Sequence, residues 1–336
     1  MSAAREGPEP VVSVVVPTYR RASFLPGLFA ALEAQVGAPG FELVIVDNAS
    51  TDGTWATLAD LAAQTRIPTQ VLRTDENRGP APARNLGWRN ARGPLIAFTD
   101  DDCLPQPEWV AAVADGLAEA DVVQGRTLPN PDQAASCGPF SRSVTVTAAD
   151  GLFATCNVGY RRETVERVGG FDEAFRLLAG EDTDLAWRAM AQGARTSFRP
   201  DALVYHQVRP MSFAAAIRDS WRWQDLALAI KRHPGLRRLT DSRFVWRRSH
   251  LLVSLAAAGL AAALAVGLAG AGGWIAALVI AAAAIAPYVR YRTATAPLPA
   301  TGPRRRWALL PAAFAIDLAE VVACLVGSAR HRAFIL

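Results

Sequence analysis

The stretch Leu95-Ile96-Ala97-Phe98-Thr99-Asp100-Asp101-Asp102 decides how the chain is read. A short apolar run that stops at Thr99 and the aspartates fits a strand buried on both faces. Val11 to Val16, ended by Pro17, and Leu43 to Val46, ended by Asp47, have the same form. Helical patterns lie between these runs: Ala22 to Gln35, closed by Gly37, and Thr54 to Thr65, opened by the turn Ser50-Thr51-Asp52-Gly53. Strand and helix alternating at this spacing predict βαβ units, hence an α/β fold on a mostly parallel sheet. Ligands of such sheets bind at the carboxyl ends of the strands. Pro17, Thr18, Asp47 and Asp100 to Asp102 all fall there, so the stretch that predicts the fold also predicts the site.

Three acidic clusters or single groups then draw notice. In an extended segment, residues i and i+2 share a face. Asp100 and Asp102 would therefore meet one cation, with Asp101 turned aside. Such hard oxygen donors suit Mg²⁺ or Mn²⁺. A solvated acidic turn capping a helix from near Pro105 accounts for the same run. Gly180-Glu181-Asp182-Thr183-Asp184-Leu185 opens a helix reaching about Met190. Carboxylates in a first turn are favoured by the helix dipole, which is sufficient reason for them. The second reading makes Asp182 a general base for an attacking hydroxyl. His206 follows the apolar run Ala202 to Tyr205, and His is a fitting third ligand beside two aspartates.

The second half reads as membrane-associated. Leu251 to Val289 holds 39 residues without a charge. As one helix it would be about 58 Å long, against a hydrocarbon core of about 30 Å. Gly267, Gly270, Gly272 and Gly273 cluster at its middle, which predicts two transmembrane helices, about 251–268 and 273–289, turning there. Arg247, Arg248, Arg290, Arg292 and Arg304 to Arg306 flank the outer ends, so both ends are expected on the cytoplasmic side. Trp307 to Ala329 is apolar but carries Asp317 and Glu320 on one face with Cys324 and Ser328. It reads as a third membrane-associated helix, transmembrane or interfacial, with the two acids paired to nearby arginines. Met211 to Arg232 reads as one amphipathic helix mixing Trp221 and Trp223 with Arg218 and Arg222, suited to a membrane surface or to an ordinary protein surface. The expected organisation is a catalytic domain over 1–208, an interfacial segment over 209–250 and a membrane region over 251–336.

Composition narrows the function. The net charge of +4 over 336 residues, without a basic stripe, argues against a nucleic-acid partner. The four cysteines, Cys103, Cys137, Cys156 and Cys324, form no CxxC pair and fit a reducing compartment. Met1 to Pro10 is polar and shows no apolar signal segment, so a cytoplasmic catalytic part at the cell membrane is expected.

In order, the motifs resemble the inverting glycosyltransferases of family 2, which have the GT-A fold. The resemblance runs from Val11-Val-Ser-Val-Val-Val-Pro17-Thr18-Tyr19 through Val44-Ile-Val-Asp47-Asn48-Ala-Ser50-Thr51-Asp52-Gly53-Thr54. Asn77-Arg78-Gly79 and Ala83-Arg84-Asn85 follow, then Phe98-Thr-Asp100-Asp101-Asp102 and Asn157-Val-Gly159. Gly169-Gly170-Phe171-Asp172 and Gly180-Glu181-Asp182-Thr-Asp184-Leu185 complete it, over residues 11 to about 208. It implies that Pro17, Thr18, Asp47, Arg84, Asp100 and Asp101 hold a nucleotide-diphosphate sugar. Asp102, with Asp100 and His206, would hold Mn²⁺ or Mg²⁺, and Asp182 would be the catalytic base. Gly170, Phe171, Asp172, Glu181 and Trp223 would line the acceptor or sugar region. Processive synthases of this family carry Gln-x-x-Arg-Trp; here Asp219-Ser220-Trp221-Arg222-Trp223 keeps Arg-Trp but has Asp for Gln. With only a short hairpin, the expectation is a non-processive enzyme acting on a lipid-linked or membrane-proximal acceptor. The rival from another class is a non-catalytic membrane scaffold that binds the nucleotide sugar. A nucleotidyltransferase would need a glycine-rich loop that Pro17-Thr18-Tyr19-Arg20-Arg21 lacks.

Overall fold

The structure, a computed structural model, describes residues 9–177, 179–269, 273–295 and 307–336. It divides into two compact units, Met1–Ser136 with Arg142–Arg209, and Cys137–Ser141 with Pro210–Leu336.

The first unit alternates as the apolar runs predict. Its elements are β1 (Val12–Thr18), α1 (Leu25–Glu33), β2 (Phe41–Asp47), α2 (Thr54–Gln64), β3 (Thr69–Arg73), α3 (Pro80–Asn90) and β4 (Leu95–Thr99). There follow β5 (Cys103–Pro105), α4 (Trp109–Glu119), β6 (Val122–Pro129), β7 (Asn157–Arg161), α5 (Arg162–Arg167), α6 (Glu181–Ala191) and β8 (Thr196–His206). The strand order is β3-β2-β1-β4-β7-β6-β8-β5. β1 pairs in parallel with β2 and β4, β2 with β3, and β6 with β8; β7 and β5 pair antiparallel with their neighbours. The sheet is thus mixed, with its parallel half carrying the acidic strand ends.

Successive side chains of a strand point to opposite faces. Val12, Val14 and Val16 accordingly enter one core with Leu43, Ile45 and Ala97, under α1, α2 and α4. Val15, Val44, Ile96 and Phe98 enter the other, under α3, α5 and α6. The four β1 valines are fully buried, each worth roughly 1.5–3 kcal/mol relative to exposure. α3 comes so close to the sheet that a Cβ at Gly87 would lie 2.5 Å from Val15 Cγ1. Asn157, buried at the head of β7, accepts from Trp109 Nε1 at 2.8 Å and donates to the Arg126 and Ala202 carbonyls. It thereby ties β6 to β8 beside the register shift between Gly125 and Arg126.

Two local expectations are corrected. Residues 100–102 form a turn and not an extended segment, closed by the Cys103 amide donating to the Asp100 carbonyl. The helix expected from near Pro105 begins at Trp109, because Cys103 to Pro105 pair with Val204 to His206 as a strand.

The second unit is helical: α7 (Phe213–Ser220), α8 (Leu226–Arg232), α9 (Arg248–Leu268), α10 (Gly273–Thr295) and α11 (Leu310–His331). The single helix expected over 211–232 is interrupted by a 3₁₀ turn at Trp221–Asp225. That tighter winding lets Trp223 Nε1 reach Glu320 Oε1 at 3.2 Å on α11. α9 and α10 pack against each other, Gly259 facing Ala284 and Gly267 facing Trp274. α10 runs past the expected Val289 to Thr295, since Arg292 closes onto Asp317 of α11. α9, α10 and α11 are each long and apolar enough to cross a membrane. Asp317 and Glu320 pair with Arg292 and Arg247 respectively. Gly270 and Gly272 of the expected turn, Arg304 to Arg306, and residues 1–8 lie outside the described residues.

Candidate active site

The register of the sheet assembles the site. β1 and β2 align Thr18 with Asp47. β1 and β4 align Val15 with Phe98, which brings the turn after Thr99 level with Thr18. There the Thr18 hydroxyl donates to Asp101 Oδ2 at 2.6 Å. Pro17, just before Thr18, is partly buried in the same strand end. Asp47 is fully buried; its Oδ1 accepts the Ser50 amide at 3.0 Å, and its Oδ2 lies 3.3 Å from Arg73 Nε. Asn48 beside it donates to Asn77 Oδ1 and the Gly79 carbonyl and accepts from Thr74, fastening three loops around the strand end.

The three aspartates diverge. Asp100 turns to Arg84 Nη2 at 2.9 Å, Asp101 to Thr18, and Asp102 to Arg21 Nη2 at 3.4 Å and His206 Nε2 at 3.5 Å. Burial, with Asp102 adjacent, pushes the Asp101 carboxyl up to about 7. The antiparallel pairing of Cys103 with His206 is what carries the imidazole to Asp102. His206 Nδ1 lies 2.8 Å from the Gln207 carbonyl. A carbonyl only accepts, so Nδ1 bears a proton; in the neutral ring Nε2, the nitrogen that faces Asp102, then carries the free lone pair.

The ligand atoms of Asp102, Cys103 and His206 lie within 4.8 Å of one another. A carboxylate oxygen and an imidazole nitrogen with a free lone pair are donors that Mn²⁺ or Mg²⁺ accepts, so this pair fits a divalent ion. Cys103 sits in the apolar core, where burial pushes its thiol up and disfavours the thiolate. Asp100, expected as a further ligand, is drawn to Arg84 instead.

Asp182 stands in the first turn of α6, after Gly180 in the left-handed conformation. Its Oδ1 accepts the Thr183 amide at 2.8 Å. Burial pushes its carboxyl above the ordinary value, against the pull of Arg84. Glu181 is buried, accepts Arg84 Nη1 at 2.9 Å, and is pushed up to about 8 by burial and then by Asp182. Arg84 stays cationic: burial alone would lower it, but Asp100 and Glu181 hold it above its usual value.

The loop expected to line the sugar is held by residues the sequence did not single out. Asn85 accepts the Phe171 amide at 2.9 Å and donates to the Phe171 carbonyl. Arg188 donates to the Val168 and Gly170 carbonyls and to Asp184. Gly170 takes a φ of +80°, and a Cβ there would meet Asn85 and Trp88. Phe171 turns inward, edge-on to Phe98 at 5.1 Å, and Asp172 accepts the Ala174 amide. Trp223 belongs to the second unit, under the guanidinium groups of Arg222 and Arg247. Arg21 and Asn48 sat inside quoted motifs; their residue types alone gave no role, and Asn after a buried strand signals only a turn.

Comparison with known proteins gives the family and the fold. Residues 13–169 match the family described as Glycosyl transferase family 2, and residues 95–290, more than half of the chain, match Glycosyl transferase family group 2. Glycosyltransferase AglE of Haloferax volcanii is 29% identical over 211 residues, which cover 60% of this chain and 68% of that protein. Validoxylamine A glucosyltransferase of Streptomyces hygroscopicus subsp. limoneus is 33% identical over 221 residues, covering 55% of this chain. The chain spans about half the length of the latter, 49%. Among solved structures, the mannosyltransferase PcManGT from Pyrobaculum calidifontis, in complex with GDP-Man and Mn²⁺, superposes with a TM-score of 0.61. It is 23% identical and the match covers 94% of this chain and 87% of that one, a likeness of fold. With the acidic strand ends of a GT-A sheet and a family match over most of its length, the chain belongs to the family 2 glycosyltransferases.

Proposed function

We propose that this chain moves a sugar from a nucleoside-diphosphate donor to an acceptor hydroxyl, with inversion at the anomeric carbon. One observation carries the reading: the ends of β2 and β4 carry the carboxylates Asp47 and Asp100 to Asp102, with Asp102 beside His206, while Asp182 stands on α6 with its carboxyl held up. A raised carboxyl is the better proton acceptor near neutral pH. Asp182 takes the acceptor's proton, the acceptor oxygen bonds to the anomeric carbon, and the bond to the diphosphate oxygen breaks with its electron pair. Pro17, Thr18, Asp47, Asp100 and Asp101 surround the place for the nucleotide. Asp102 and His206 would hold Mn²⁺ or Mg²⁺, which when bound supplies positive charge beside the leaving diphosphate. The loop Gly170 to Asp172 is assigned to the sugar.

The departure at Asp219 supports transfer of single sugars and not polymerisation. Three apolar helices support work at a membrane, with residues 1–208 as the cytoplasmic catalytic domain, 209–250 at the interface and 251–336 in the bilayer. A lipid-linked or membrane-proximal glycan acceptor follows from that location. The test is release of nucleoside diphosphate from UDP-glucose, UDP-N-acetylglucosamine and GDP-mannose with Mn²⁺, and the anomeric configuration of the product by NMR. Inverted product from one donor supports the reading; retained configuration, or no release from any donor, overturns it.

A further inference from the structure

Arg84 projects from α3 into a closed space. Its side chain is 5% exposed. Nη2 lies 2.9 Å from Asp100 Oδ1, and Nη1 lies 2.9 Å from Glu181 Oε1. The guanidinium stands over the Phe171 ring, 5.8 Å from its centre. A guanidinium is a rigid planar fork whose geometry suits two carboxylates at once. Each terminal nitrogen commits one N–H to a carboxylate, Nε is buried without a hydrogen bond among the described residues, and with the side chain 5% exposed a nucleotide would reach the group only past Asp100. Asp100 is the outward member of the trio, with 27% of its side chain exposed, whereas Glu181 shows 4%. Any donor therefore meets Asp100 and not the guanidinium behind it.

We infer that Arg84 is a positioning residue that braces the turn after β4 to the first turn of α6, and so sets Asp182 against the donor carboxylates. The inference rests on the reading of Asp182 as the base. It replaces the nucleotide contact that resemblance alone assigns to Arg84. Asp100 and Glu181 stand 81 positions apart in the chain (181 − 100), and one side chain joins them. Catalysis depends on such registration, since a misplacement of about 1 Å costs on the order of 100-fold in rate.

The test uses the full chain with Arg84→Met, Glu181→Met, the double variant and Arg84→Lys. In the ligand-free protein, Arg84→Met is expected to speed hydrogen exchange of the amides at 181–184 by about tenfold or more. Pairing the two changes removes the buried polar group left without a partner and restores the melting midpoint. In turnover of whichever nucleotide sugar the unmutated chain hydrolyses, kcat falls on the order of 100-fold in both Arg84→Met and the double variant. Donor KM, and the affinity for UDP or GDP with Mn²⁺, stay within about threefold. Arg84→Lys keeps the charge without the fork, and its kcat stays low. Recovery of kcat in the restabilised double variant would overturn the brace, since a merely structural pair would allow it. So would unchanged exchange at 181–184 together with weakened nucleotide binding that Arg84→Lys rescues. If the unmutated chain turns over no donor, the reading of Asp182 fails; the ligand-free exchange still decides for or against the brace.

Discussion

The carboxylates of α11 and those around the candidate site are held differently. On α11, Asp317 receives Tyr288 Oη at 2.8 Å and Arg292 through two nitrogens at 2.8 and 2.6 Å. Glu320 receives Trp223 Nε1, Arg247 Nη1 and His250 Nε2. Every oxygen of the pair has a donor. In the first unit, Asp47 Oδ2 and Glu181 Oε2 are buried without a hydrogen bond among the described residues. Asp102 meets Arg21 only at 3.4 Å and the His206 imidazole only at 3.5 Å. A buried carboxylate whose donors are all supplied by the chain holds the fold together, whereas one left short invites a ligand. The acids of α11 are structural by this measure, and those at the strand ends are chemical.

Changing Asp182 to Asn gives the largest expected effect on the chemical side. The isostere keeps the shape of the α6 turn but accepts no proton. Turnover should fall by about 100- to 10,000-fold, with the melting midpoint held. Donor hydrolysis and thermal melting of the same preparation check this, and a large loss of stability with intact turnover would reverse the comparison.

The structural side breaks in the opposite way. Asp317→Asn takes the anion from Arg292, whose side chain is 24% exposed, a change expected to cost up to about 3 kcal/mol. Melting in detergent should show it, while affinity for UDP or GDP stays as in the unmutated chain. A Asp317 variant with normal melting and lost turnover would move that residue to the chemical class.

Protonation sharpens the contrast further. Glu181 is pushed up from 4.5 to about 8, so the folded state binds a proton that the unfolded state has released. Its contribution to stability is complete below about 4.5 and is lost as pH climbs through about 8. Melting between pH 5 and pH 9 should therefore decline more steeply in the unmutated chain than in Glu181→Gln. The acidic limb of kcat should also lie above the ordinary aspartate range, since Asp182 must be ionised to act and its carboxyl is held up. The smallest effect belongs to an exposed pair: Arg199 and Asp201 meet at 2.6 Å, but Asp201 is 51% exposed. Asp201→Asn should shift stability by less than about 1 kcal/mol in urea unfolding.

Much of the fold was legible because burial on both faces leaves a mark in one dimension. Val11 to Val16, Leu43 to Val46 and Leu95 to Phe98 read as strands, and the residues ending them fall at the site. Their partners were not legible. Arg84 and Glu181 are 97 positions apart, and spacing says nothing of where a long side chain points. The antiparallel return that sets His206 beside Asp102 rests on the three-residue strand β5, too short to show periodicity. The turn at 100–102 was read as extended, because a run of aspartates carries no signal for its own backbone. The break at Trp221 was missed for a similar reason: it accompanies a contact between Trp223 and Glu320 on another helix, and the local pattern stays helical throughout.

The central claim is that Asp102 and His206 form the cation end of the donor site. It is tested most directly by calorimetric titration of UDP and GDP, with and without Mn²⁺, into the unmutated chain and into Asp102→Asn. Nucleotide binding that needs Mn²⁺ in the unmutated chain and is lost in the variant, at an equal or higher melting midpoint, is the predicted result. Equal, Mn²⁺-dependent binding by both proteins would contradict it.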